Sequence, residues 1–142
     1  MSRTIPLKET LTVEFKSDKK KYGDADLFED VVAFANTDGG DLYLGVEDDG
    51  EITGVHKDHS NPITLSAFIA NNTVPPISTR VEIVEEGLSV LKITVPKSYG
   101  GIVATRSGKI LRRWGHRKIS PCIPPRWPPV CRIFVCWTIP QW

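Results

Sequence analysis

A chain of 142 residues, 40% hydrophobic and 25% charged, is long enough for one domain with a sizeable apolar core of its own. No apolar run approaches the ~18 residues of a membrane span, and the opening Met1-Ser2-Arg3-Thr4-Ile5-Pro6 carries no apolar leader, so the expected address is cytoplasmic. The net charge of +1 hides a division: residues 1–86 hold 8 Lys/Arg against 17 Asp/Glu (−9), whereas residues 87–142 hold 10 Lys/Arg and no acid (+10). Such a split points to a polyanion for the basic part, or to acidic and basic surfaces that complement each other within the fold.

Residues 10–16, Thr-Leu-Thr-Val-Glu-Phe-Lys, alternate as an opening strand, and residues 17–23 form a polar, basic loop. Leu27, Phe28, Val31, Val32 and Ala35 then repeat at the spacing of a helix that buries one face. Asp26 with Glu29 three residues on is expected to cap its first turn. Asn36-Thr37-Asp38-Gly39-Gly40 stops the helix, since glycine readily takes the left-handed backbone that ends one. Leu42, Leu44 and Val46 alternate as a strand, and Asp48-Asp49-Gly50 predicts a turn into residues 51–55 as the second arm of a hairpin. Asn61-Pro62 opens a shorter helix that buries Leu65, Phe68 and Ile69, and Val74-Pro75-Pro76 ends it. Residues 78–85 and 88–95 read as two strands turned at Gly87. Residues 97–101 form a loop, and residues 102–105 and 109–114 a last pair of short strands around Ser107-Gly108. Strands without regular helix alternation predict an α+β fold: a mixed, mostly antiparallel sheet with one main buried helix and one shorter helix.

From His116 the character changes. The final 22 residues hold 6 of the 11 prolines, all 3 cysteines and 3 of the 4 tryptophans. The expected organisation is therefore a domain over 1–115 and an atypical tail over 116–142, disordered or translated out of frame; a docking tail is the competing reading. Cys122, Cys131 and Cys136 lack the spacing of a zinc pair, and an odd count argues against a disulfide framework.

The ordered set Glu14-Phe15-Lys16, Ala33-Phe34-Ala35-Asn36-Thr37-Asp38-Gly39-Gly40 and Leu44-Gly45-Val46-Glu47-Asp48-Asp49-Gly50-Glu51-Ile52-Thr53-Gly54 resembles the Schlafen-type AlbA-like domain. The likeness runs from about Glu9 to about Gly115. It implies a nucleic-acid-binding domain, DNA favoured, within a transcriptional regulator or a helicase-related protein. Binding rather than catalysis is the first expectation, with no cofactor.

Two constellations could carry chemistry. Lys19, Lys20 and Lys21 in one loop, with Arg106, Lys109, Arg112 and Arg113 around the last strands, would neutralise phosphates, while Tyr99 and Trp114 could stack on unpaired bases. The bland alternative is a solvated charged face with Trp114 in the core. Glu9, Glu14 and Asp48 (or Glu47) match, by the same resemblance, the acidic residues of Schlafen endoribonucleases. Under that alternative they would hold Mg²⁺ or Mn²⁺ and cleave structured RNA; the bland reading is turn chemistry at Asp48-Asp49-Gly50. Gly39-Gly40 and Gly100-Gly101 lack the P-loop pattern, so no ATPase role is expected. The partners expected are DNA or RNA and no membrane, with room for a homo-oligomer.

Overall fold

The computed structural model describes residues 4–114 and the backbone of 117–119. Four strands form the main sheet in the order β1-β2-β5-β4. They are β1 (Val13–Lys16), β2 (Gly40–Leu44), β4 (Arg80–Glu86) and β5 (Leu88–Val95). β1 and β2 run parallel, with Glu14 opposite Leu42, and the other pairs are antiparallel. The sheet is therefore mixed and the fold α+β.

Helix α1 (Asp24–Ala35) forms the link between β1 and β2, the crossover a parallel pair requires. It buries Leu27 and the whole run from Val31 to Ala35 against the sheet. Its N-cap is Gly23, with Asp24 and Asp26 inside the first turn, so the Asp26–Glu29 capping box expected from sequence does not form. Helix α2 (Pro62–Asn71) begins as expected, with the Asn61 side chain accepting from the amides of Ile63 and Thr64. Leu65 and Ile69 are buried, but Phe68 stays 39% exposed, its ring edge-on to Phe28 at 5.0 Å.

The sheet divides two apolar clusters. Leu42, Leu44, Leu91, Ile93 and Val95 face the helices, with Leu111 and Val103 closing the layer. On the other face Ile5, Phe15, Tyr43, Val46 and Val90 pack together. Period-two alternation sorts the same strand to both, so Phe15 enters one cluster while its neighbour Glu14 points to the helix side.

Two expected pairings are corrected. Residues 51–55 form no strand; only Val46 and Ile52 bridge, because the amides of Thr53 and Gly54 both turn back to the Gly45 carbonyl. The last two short strands do not pair with each other. β6 (Ala104–Thr105) pairs with β3 (Thr73–Val74), and β7 (Arg112–Trp114) with β8 (Arg117–Ile119). A 3-10 turn at Lys57–His59 precedes α2. No described helix is long and apolar enough to cross a membrane. The tail reading falls almost wholly outside the described residues, except that β8 lies within 116–142.

Candidate nucleic-acid interface

The Asn36–Gly40 corner positions the basic C-terminal segment. The Asn36 side-chain amide donates to the carbonyls of Val103 (2.7 Å) and Leu111 (2.9 Å), and its oxygen accepts from the Val103 amide at 2.8 Å. The Thr37 hydroxyl donates to Ala33 O and accepts from the Arg113 amide at 2.9 Å. Asn36 and Thr37 thus clamp 103–113 to the end of α1, a role that their helix-stop pattern in the sequence does not disclose.

Alternation along β7 then divides the cations. Arg112 and Trp114 face outward, Trp114 at 77% exposure, so Trp114 is not a core residue. Arg113 faces inward at 4% exposure. Its Nη2 donates to Glu14 Oε2 at 2.7 Å, its Nε to Leu11 O at 3.0 Å, and its guanidinium lies 4.3 Å from the centre of the Phe34 ring. The expectation that Arg113 contacts phosphate is therefore corrected: it is an internal strut.

The other expected cations differ in what they touch. Lys21 pairs with Asp24 at 3.1 Å, at the start of α1. Lys109 pairs with Glu29, mid-helix, at 2.5 Å, and that carboxylate holds the ammonium pKa above its usual value. Lys19 is drawn instead towards Glu47 at 3.6 Å. The exposed side chains of Lys20, Arg106 and Arg112 make no ion pair among the described residues. Arg106 and Lys109 border a groove with Ala25, Phe28 and Glu29 of α1. Arg112 borders a second groove with Asn36, Thr37 and Asp38. Lys97, missed in sequence because it opens an irregular loop, lines the same groove, pairs with Asp38 at 3.2 Å and lies 5.8 Å from the centre of the Tyr99 ring, itself 90% exposed. Cations are thus spread along α1 from one end to the other, a helix of twelve residues.

The carboxylates of the nuclease alternative do not assemble. Glu9 Oε1 accepts the Phe15 amide at 2.9 Å. Glu14 is taken up on both oxygens, by Lys16 and Arg113; burial alone would raise its pKa, but those two cations hold it below the usual value. Asp48 is exposed at the turn, and Glu47 accepts from the Ser17 and Thr53 hydroxyls, which depress its pKa. Among the described residues no three His, Cys, Asp or Glu side chains are grouped to hold a metal ion. A Mg²⁺ or Mn²⁺ at Glu14 would face a guanidinium and an ammonium, so the residues present do not fit one.

A family model described as Schlafen, AlbA_2 matches residues 9–121. The chain belongs to the Schlafen AlbA_2 family. The match extends past Gly115, the expected end of the likeness, and takes in β8. No curated protein matches the chain. Among solved structures, the DIP2311 protein of Corynebacterium diphtheriae is similar at a TM-score of 0.64 and 23% identity over 77% of this chain. This chain spans only 22% of that protein. The N-terminal domain of a protein described as related to the DNA helicase RecG, from Nitrosomonas europaea, is similar at a TM-score of 0.50 and 21% identity. That likeness covers 84% of this chain and 89% of the domain. At these identities the two structures bear on the fold alone.

Proposed function

We propose that this AlbA_2 chain is a nucleic-acid-binding domain, with DNA the favoured partner, serving a transcriptional regulator or helicase-related protein. The observation that carries the reading is the set of cations along α1, of which Arg106 and Arg112 engage no acid among the described residues. A twelve-residue helix is about 18 Å long, the axial span of about five phosphates on one DNA strand. Exposed Tyr99 and Trp114 add flat apolar faces beside that row. Family membership and the helicase-related neighbour support the same reading by analogy. No observation favours the endoribonuclease alternative, because Glu9, Glu14 and Asp48 have separate structural partners or none in common.

Filter binding with single- and double-stranded DNA and RNA over a salt series tests the proposal. Affinity should fall steeply as salt rises, and Arg106→Ala and Arg112→Ala should each lower the log–log slope by about 0.9, the loss of one phosphate contact. Affinity that stays flat between about 50 and 200 mM salt would overturn it.

A further inference from the structure

We propose that the open edge of the main sheet is a self-recognition surface, where β4 pairs antiparallel with β4 of a second copy about a twofold axis through Ile83. β4 is seven residues long and pairs with β5 along its whole length on one side. Among the described residues nothing pairs with its other side. An uncovered strand of this length offers a row of amides and carbonyls to another chain.

The side chains along that edge select one partner and one register. Continuing the sheet with the same face up requires residues of equal parity to stand opposite each other. Centring on Glu82 sets that carboxylate against its own copy, and centring on Val84 sets Glu82 against Glu86 twice. Centring on Ile83 instead sets Arg80 against Glu86 at both ends, Val81 against Glu85, Glu82 against Val84, and Ile83 against Ile83. It uses all seven residues and is the only central register with no like charges directly opposed. Glu86 is already a fixed carboxylate, since it accepts the Ile5 amide at 3.0 Å. Arg80 closes on Glu82 of its own strand at 2.6 Å, with its side chain largely in solvent and able to turn to Glu86 of the second copy.

The apolar pattern agrees. Ile83 lies opposite Leu91, on the helix-bearing face, yet is 48% exposed. The groove beside it is lined by Pro62, Ile63, Ala67 and Val81, and Ile63 is 83% exposed. α2 covers the start of the strand, where Ser66 donates to Thr79 O at 2.8 Å, and leaves Ile83 open. Val81 of each copy would sit four residues along the ladder from Val81 of the other, so the two α2 helices are displaced by roughly 13 Å and do not collide. A closed twofold contact also ends with two copies rather than growing into a filament.

Sedimentation velocity on the full chain without nucleic acid, over a concentration series, tests this independently of the binding proposal. The expected result is a species of twice the monomer mass. Ile83→Lys and Ile83→Glu should each weaken self-association at least tenfold, and an equimolar mixture of the two should restore it, because Lys then faces Glu on the axis. Arg80→Glu, at an exposed position that cannot unfold the chain, should weaken it too. A monomer at every concentration, a dimer that survives both Ile83 variants, or a mixture that fails to recover would each overturn the proposal. So would capture of a foreign extended peptide by the same edge while the chain itself stays monomeric.

Discussion

The burial of Arg113 is offset by a carboxylate at 2.7 Å, two carbonyls at 3.0 and 3.4 Å, and the face of Phe34. A cation so completely engaged cannot also serve a phosphate, which is why a run of cations in sequence overstates the interface by every second residue of a strand. Asp18 and His59 form a second buried unit. Asp18 accepts the amides of Tyr22 and His56, both at 2.7 Å, and stands 3.0 Å from His59 Nδ1. His59 Nε2 lies 3.7 Å from Asp24, so the loop that carries Lys19, Lys20 and Lys21 is tied to the turn before α2. The Asp18 hydrogen bond raises the His59 pKa against the pull of burial. Burial alone would raise that of Asp18, but His59 and the two amides lower it. The signs follow. The His59 contribution is complete below its ordinary 6.5 and is lost as pH rises through the raised value. The Asp18 contribution is present above its ordinary 3.8 and is lost as pH falls through the lowered value. Urea midpoints should therefore decline as pH rises above the ordinary 6.5 of the imidazole, and His59→Gln should flatten that limb. Identical alkaline limbs in the two proteins would refute the coupling.

At the scale of elements, the decisive joint is Gly39-Gly40, where α1 meets β2. Both take positive φ, +70° and +151°. A methyl group on Gly40 would lie 2.4 Å from Thr12 O and 2.7 Å from the Phe34 ring, in the space that lets β1, α1 and β2 approach. Gly40→Ala should accordingly cost more than about 3 kcal/mol in urea unfolding. Gly100→Ala, with nothing within 4 Å, should stay within about 0.5 kcal/mol. Equal costs would show that the corner is not tight. This joint was legible because a helical period, a Gly-Gly stop and a strand period follow one another within one stretch of chain. The neighbouring hairpin was not: Asp48-Asp49-Gly50 does turn the chain, but whether residues 51–55 then pair depends on where Thr53 and Gly54 send their amides. The partners of β6 and β7 were hidden for the same reason. Short strands carry little side-chain information, and here Asn36, roughly seventy residues upstream, fixes their path. Among the candidate phosphate-binding residues, the sequence shows the cations of β7 but not that Arg112 turns outward and Arg113 inward, and the place of Lys97 depends on a loop without periodicity.

Over the whole molecule, the charge division in the sequence is largely a division between partners. Lys92–Asp41, Lys97–Asp38, Lys109–Glu29 and Arg113–Glu14 each join a cation from the basic part to an acid from the acidic part. Internal complementarity thus accounts for four cations, whereas Arg106 and Arg112 form no ion pair among the described residues and are the two that the binding proposal calls on. The two readings of the charge split therefore compete for the same side chains, and the competition can be shifted. Asp38 and Lys97 are both substantially exposed, so their pair contributes on the order of 0–1 kcal/mol to stability. Its loss should leave the thermal midpoint almost unchanged. Asp38→Asn would remove a carboxylate from the groove that Arg112 lines and release Lys97, beside Tyr99, to a phosphate. DNA affinity should rise severalfold at low salt, and the log–log salt slope should steepen by about one. Arg112→Ala should move both quantities the other way, and the double variant should fall between. A rise in affinity without a change of slope would mean that Asp38 merely repels DNA, and no rise at all would place the bound strand away from the C-terminal end of α1.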